Sequence, residues 1–240
     1  MKMYSSYYHK FMMLILLVSV TSIGQAQLNP GVYLASAMDG NQLTKYQLTV
    51  SDNYIIHTTY KEDPPEFVNT WGGFYSLAND VMKVKLEFNS NYESDQITQK
   101  EFPWNESKSQ IVFGDSNLKY ARSQEIGQDL DGFWLFATRG PDTGQERRGD
   151  DRARKTLKVL FDGKFQWIAY HIETYKFSGT GGGSYSAVNG IYTENIEFFS
   201  RDNSRVGAQL QFNYQVDGND WHHKGNNSRG EPMYEIWSKR

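Results

Sequence analysis

One internal repeat constrains this chain more than any other feature. Residues 72–90, GGFYSLANDVMKVKLEFNS, align without a gap on residues 182–200, GGSYSAVNGIYTENIEFFS, at an offset of 110 (182 − 72). Two glycines, Tyr, Ser, Asn, Glu, Phe and Ser coincide. In each copy a glycine pair and a short run lead to Asn-Asp or Asn-Gly, and an alternating run follows. Asn-Gly between such runs signals a β-hairpin, because a type I′ turn needs positive φ at both central residues. Other turns keep the offset: Asp52-Asn53 answers Asp162-Gly163, and Tyr60 answers Tyr170. The chain therefore reads as two β modules in tandem, over residues 27–126 and 127–240.

The alternating runs differ at one position. Met82, Val84, Leu86 and Phe88 share a face in the first copy, and Tyr192, Glu194, Ile196 and Phe198 share the matching face in the second. Successive strand residues point to opposite faces, so this register turns Glu194 inward where the first copy has Val84. A carboxylate in an apolar interior must be paired, protonated or facing a wet cavity. Arg205 and His223 are candidate ion-pair partners. A strand twist carrying Glu194 to solvent is the alternative.

Taken in order, the first module contains about eight short runs rich in β-formers, separated by turn residues and by Pro64-Pro65 and Pro103. Residues 124–131 read as a linker. The second module repeats the pattern from Gly132, with a polar insertion over residues 138–156 that reads as a mobile surface loop. Its Arg148-Gly149-Asp150 tripeptide is too short a motif to carry an adhesion function. Residues 206–216 alternate cleanly as a strand, and no amphipathic helix of useful length is found. Spacing of this kind predicts an all-β protein built from two small barrels, or else one larger barrel or sandwich.

Several function classes are disfavoured. The net charge of −3 argues against a nucleic-acid partner, which calls for a basic face. There are no cysteines, so disulfides, thiol nucleophiles and thiolate metal sites are absent. Near the N-terminus, Lys2, His9 and Lys10 precede an apolar run over residues 11–20, and Gly24 and Ala26 suit cleavage after Ala26. A signal peptide over residues 1–26 is expected, with export to the periplasm or beyond and no membrane span in the mature chain.

His222 and His223 are adjacent, so a strand sends them to opposite faces and they cannot share a metal. With no other metal-ligand spacing present, no metal or cofactor is expected. GTGGGS, residues 179–184, has the composition of a phosphate loop without the helix that makes one work.

The second module resembles a family of uncharacterised lipocalin-like secreted proteins of the Bacteroidetes. The resemblance is carried by FQWIAY (165–170), GTGGGSY (179–185), YTENIEFFSRDNSRVGA (192–208), WHH (221–223) and YEIW (234–237). It implies two tandem lipocalin-like antiparallel barrels of about eight strands each, in an exported protein, and no particular reaction. Fold analogy does not fix function. An eight-stranded barrel can just enclose one small ligand. A small, partly apolar ligand is therefore expected in the second barrel, with Glu194 and Arg205 as polar anchors, His223 nearby, and Trp134, Trp167, Tyr185, Tyr192 and Trp237 as walls. One alternative is an enzyme moving protons with Glu194 and His222 or His223. Another is a non-catalytic interaction module.

Overall fold

The computed structural model describes residues 28–79, 81–106, 110–113, 118–227 and 229–240. The expected leader over residues 1–26 lies outside them. The first half supplies β1 (Gly31–Asp39), β2 (Gln42–Val50), β3 (Tyr54–Lys61), β4 (Glu66–Ala78) and β5 (Val81–Asn89). A single helical turn, α1 (Tyr92–Asp95), precedes β6 (Gln99–Glu106), β7 (Gln110–Phe113) and β8 (Lys119–Arg122). The second half supplies β9 (Gly132–Arg139), β10 (Arg154–Phe161), β11 (Lys164–His171), β12 (Phe177–Val188) and β13 (Ile191–Phe199). A 3-10 turn at Asn203–Arg205 leads to β14 (Gln209–Asp217), β15 (Asp220–Asn226) and β16 (Pro232–Lys239).

The all-β expectation holds. Within each half every strand pairs antiparallel with its sequence neighbour, and the two end strands also pair. The first closure is thin, with Tyr33↔Arg122 and Leu34↔Ala121 only, whereas β9 meets β16 from Arg139 to Trp134. Closing a sheet removes the exposed edges on which chains aggregate.

Local chemistry explains the turns and bends. Asn189 and Gly190, and likewise Asp162 and Gly163, adopt positive φ, as two-residue hairpins require. Each glycine pair sits at a bulge: the register slips between Gly72 and Gly73 in β4–β5, and between Gly182 and Gly183 in β12–β13. A Cβ at Gly73 would collide with the Lys85 carbonyl, and one at Gly183 with the Asn195 carbonyl. Only glycine lets the strands approach there. A second slip recurs between Thr59 and Tyr60, and between Ala169 and Tyr170.

Each closed sheet encloses its own apolar cluster. Leu28, Leu48, Ile55, Val84 and Trp71 pack in the first, and Leu130, Trp134, Phe165, Ile196 and Trp221 in the second. A third apolar cluster joins the two halves. Tyr54, Ile56 and Phe88 pack against Leu135, Leu157, Val159, Ile168 and Tyr170 from the other half. Strands β3 and β10 are consequently buried on both faces, one toward their own interior and one toward the neighbouring sheet.

The contacts between the halves obey the same 110-residue offset as the sequence. Tyr60 donates to Glu197 at 3.0 Å, and Tyr170 donates to Glu87 at 2.8 Å. Phe88 packs on Tyr170 (centroids 5.0 Å apart) and Phe198 on Tyr60 (4.8 Å), while Phe67 stacks on its own counterpart Phe177 at 8°. Reciprocal i–j and j–i contacts are the signature of a twofold, isologous interface. Gln166 completes the polar part by bonding Thr58, Thr70 and Thr180. The insertion before β10 is also pinned: Arg147 binds Asp220 at 2.6 Å, and buried Lys155 binds Asp150 at 2.6 Å.

Candidate functional site

The interior of the second sheet carries charge where the first is apolar. Glu194 does face inward, on β13, with 5% of its surface exposed. Its partner is neither Arg205 nor His223. Lys158, on β10 and 4% exposed, reaches across the interior to place Nζ 2.9 Å from Glu194 Oε1. At the repeat-equivalent positions the first half has Leu48 and Val84, both fully buried. The second half thus has an ion pair where the first has an apolar pair.

Aromatic rings surround the lysine. Its ammonium lies 5.2 Å from the Tyr192 centroid, 5.0 Å from that of Trp221 and 5.1 Å from that of Trp237. A cation over aromatic faces is stabilised by the ring quadrupole, which offsets part of its lost hydration.

Beside the pair, β15 and β16 set two more titratable groups opposite one another. The register pairs His223 with Glu235 and Trp221 with Trp237. His223 Nδ1 stands 3.7 Å from Glu235 Oε2, beyond hydrogen-bond range, and Trp237 Nε1 donates to the same oxygen at 3.1 Å. Burial, reinforced by the Lys158 charge, holds the His223 imidazole below its ordinary pKa and hence neutral near pH 7. Burial alone would raise Glu235, but His223 and Lys158 outweigh it and hold the carboxyl below its usual range. The buried Tyr192 hydroxyl is pushed well up by desolvation and then by Glu194.

Lys158, Glu194, His223, Glu235 and Trp237 are among the residues that line a cavity of about 270 Å³. Lys158, Glu194, His223 and Glu235 supply its polar wall, and Trp167, Phe212, Met233 and Trp237 its apolar one. Thr156, Asn226 and Asn227 place it toward the end of the sheet where β15 turns into β16. Leu130, just before β9, packs with Trp134 and Tyr185 elsewhere in the same interior. Among the described residues, Trp221 Nε1 and both ring nitrogens of His223 are buried without a hydrogen-bond partner.

Of the residues expected at the site, Glu194, Trp167, His223 and Trp237 line this cavity. Tyr192 backs it, under the lysine and 5.7 Å from the His223 ring. Trp134 does not line it: its Nε1 donates to the Leu130 carbonyl at 2.8 Å and its ring meets Trp221 edge-on. Tyr185 is drawn away by a short hydrogen bond to Asp131. Arg205 is displaced altogether. Asp202 caps the 3-10 turn through Ser204 N, Gly207 takes φ +89°, and β14 starts only at Gln209, so Arg205 lies half-buried, 3.9 Å from Asp202. His222 points to the outer face, where Nδ1 meets the Tyr234 hydroxyl at 2.8 Å, so the Glu194–His222 pairing is not formed.

Sequence reasoning missed Lys158 and Glu235. The offset held a signal for the first: Leu48 becomes Lys158 in the same copy in which Val84 becomes Glu194. No group of three or more His, Asp or Glu among the described residues is placed to hold a metal ion, and no described helix is long and apolar enough to cross a membrane. Neither a protein-family model nor a curated protein matches the chain.

Proposed function

We propose that this chain is an exported binding protein that holds one small, partly apolar molecule inside its second sheet. On this reading the two sheets are tandem lipocalin-like barrels descended from one duplicated module, and only the second kept or acquired a binding interior. The paired glycine bulges and reciprocal contacts at the 110-residue offset support the duplication. One observation carries the binding reading: the buried ring nitrogens of His223 have no partner, on a residue that lines a 270 Å³ cavity with aromatic walls. Buried polar groups are normally satisfied, so unmet ones beside a cavity mark where a guest or ordered water completes them. The Lys158–Glu194 pair is structural support for that interior, since each charge is already met by the other.

Native mass spectrometry of the protein purified from its own host tests this reading. A retained small-molecule mass is expected in the wild type and should be lost in Thr156→Phe, which fills the cavity from β10. Absence of any retained mass, together with an identical tryptophan-fluorescence response of both proteins to an apolar dye, would refute it.

A further inference from the structure

The polar half of the cavity is not neutral. Lys158 contributes one positive charge, Glu194 and Glu235 two negative ones, and His223 none near pH 7, which leaves one negative charge in excess. The lysine is not available to a guest, because Glu194 holds it at 2.9 Å and three rings enclose it. Glu235 is available. Its Oε2 accepts from Trp237 Nε1, while its Oε1 takes no hydrogen bond from any described residue. A carboxylate oxygen with no protein donor, on a residue that lines the cavity, is the acceptor half of a charge-assisted bond.

We infer that the guest is a small aromatic or aliphatic amine, whose ammonium is received by Glu235 and whose apolar body lies against Trp167, Phe212 and Trp237. The inference rests on the binding reading given above and assigns the chemistry of its ligand. The unpartnered, buried nitrogens of His223, directly across from Glu235, are the second observation that points to a guest at this spot. A neutral imidazole offers an acceptor nitrogen to the same ammonium. The ring faces of the wall attract a cation as well as an apolar surface, as they already do for Lys158. A carboxylate guest would meet the opposite field: the sole lysine is neutralised and the free group is itself an anion.

Titration calorimetry at pH 7 with three probes of one shape, tryptamine, indole and indole-3-acetate, tests the assignment. Tryptamine is expected to bind at least about tenfold more tightly than indole, and indole-3-acetate more weakly than either. Glu235→Gln should abolish the preference for tryptamine while leaving indole binding in place. The ranking in the wild type is decisive even should the variant not fold. Equal affinity for indole and tryptamine, or a preference for the acetate, overturns the amine assignment and leaves the cavity reading standing. Failure of all three to bind, with no mass retained on purification, overturns both.

Discussion

Replacing Glu194 by valine removes one member of a buried ion pair and strands the other. At 2.9 Å and an effective dielectric of about 20, the gross attraction between Lys158 and Glu194 is roughly 6 kcal/mol. Desolvating each ion costs several kcal/mol, so the pair as a whole contributes close to nothing. The single substitution is different, because Lys158 keeps its desolvation cost and loses its partner. Glu194→Val and Lys158→Leu should each destabilise by about 3–5 kcal/mol. The double variant copies Leu48 and Val84, which fill the equivalent positions of the first sheet without exposure. It should fall within about 1 kcal/mol of the wild type, or exceed it, and in either case be more stable than both singles. Urea denaturation of the four proteins, read by circular dichroism at constant m-value, measures the cycle. A double variant whose loss equals the sum of the two singles would refute the argument. So would a Glu194→Val protein within about 0.5 kcal/mol of the wild type.

Acid should destabilise the protein partly through His57, whose pKa is lowered to about 4, chiefly by burial and then by Lys100. The unfolded chain takes up this proton near pH 6.5 and the folded one resists it. Stability is therefore full above pH 6.5 and declines as pH falls toward 4, by about 3 kcal/mol from this group. His57→Phe should flatten the pH dependence of the unfolding free energy between pH 7 and 4.5 by roughly 2 kcal/mol; an unchanged slope would contradict the assignment. Between the halves, Glu87 receives Arg240 at 2.7 Å and the hydroxyls of Tyr54 and Tyr170. With a core cluster also shared, calorimetry should show one unfolding transition, and Arg240→Ala should lower its stability by about 3 kcal/mol. Two resolved transitions in the wild type would mean the halves unfold independently.

Much of the backbone was legible in the residues because its causes are local. Alternation with period two, the positive-φ pairs Asn189-Gly190 and Asp162-Gly163, and the glycine pairs that recur at the bulges all act within a few residues. They determine strands, turns and the inward face of β13, and with it the burial of Glu194. Residues 206–208 show the limit of this kind of reading. They alternate like the strand that follows, yet a capped turn and the left-handed Gly207 hold them out of β14, and Arg205 leaves the site with them.

What the chain could not state about itself is which distant side chains meet. Alternation names one apolar face per strand, and in β10 it points to Leu157 and Val159. Those residues pack on the neighbouring sheet, so the opposite face, with Lys158, is the one that lines the interior. A strand buried on both sides has no polar face to reveal its orientation, and only docking of the two halves decides it. The same holds for Glu235. It joins the cavity because β16 pairs with β15 in the register that sets it opposite His223, and because β16 also closes onto β9. Repeat, turns and strand faces follow from short-range sterics and burial pattern. The ion pair, the placing of Glu235 and the cavity that they line arise from closure and docking, which act between residues far apart in the chain.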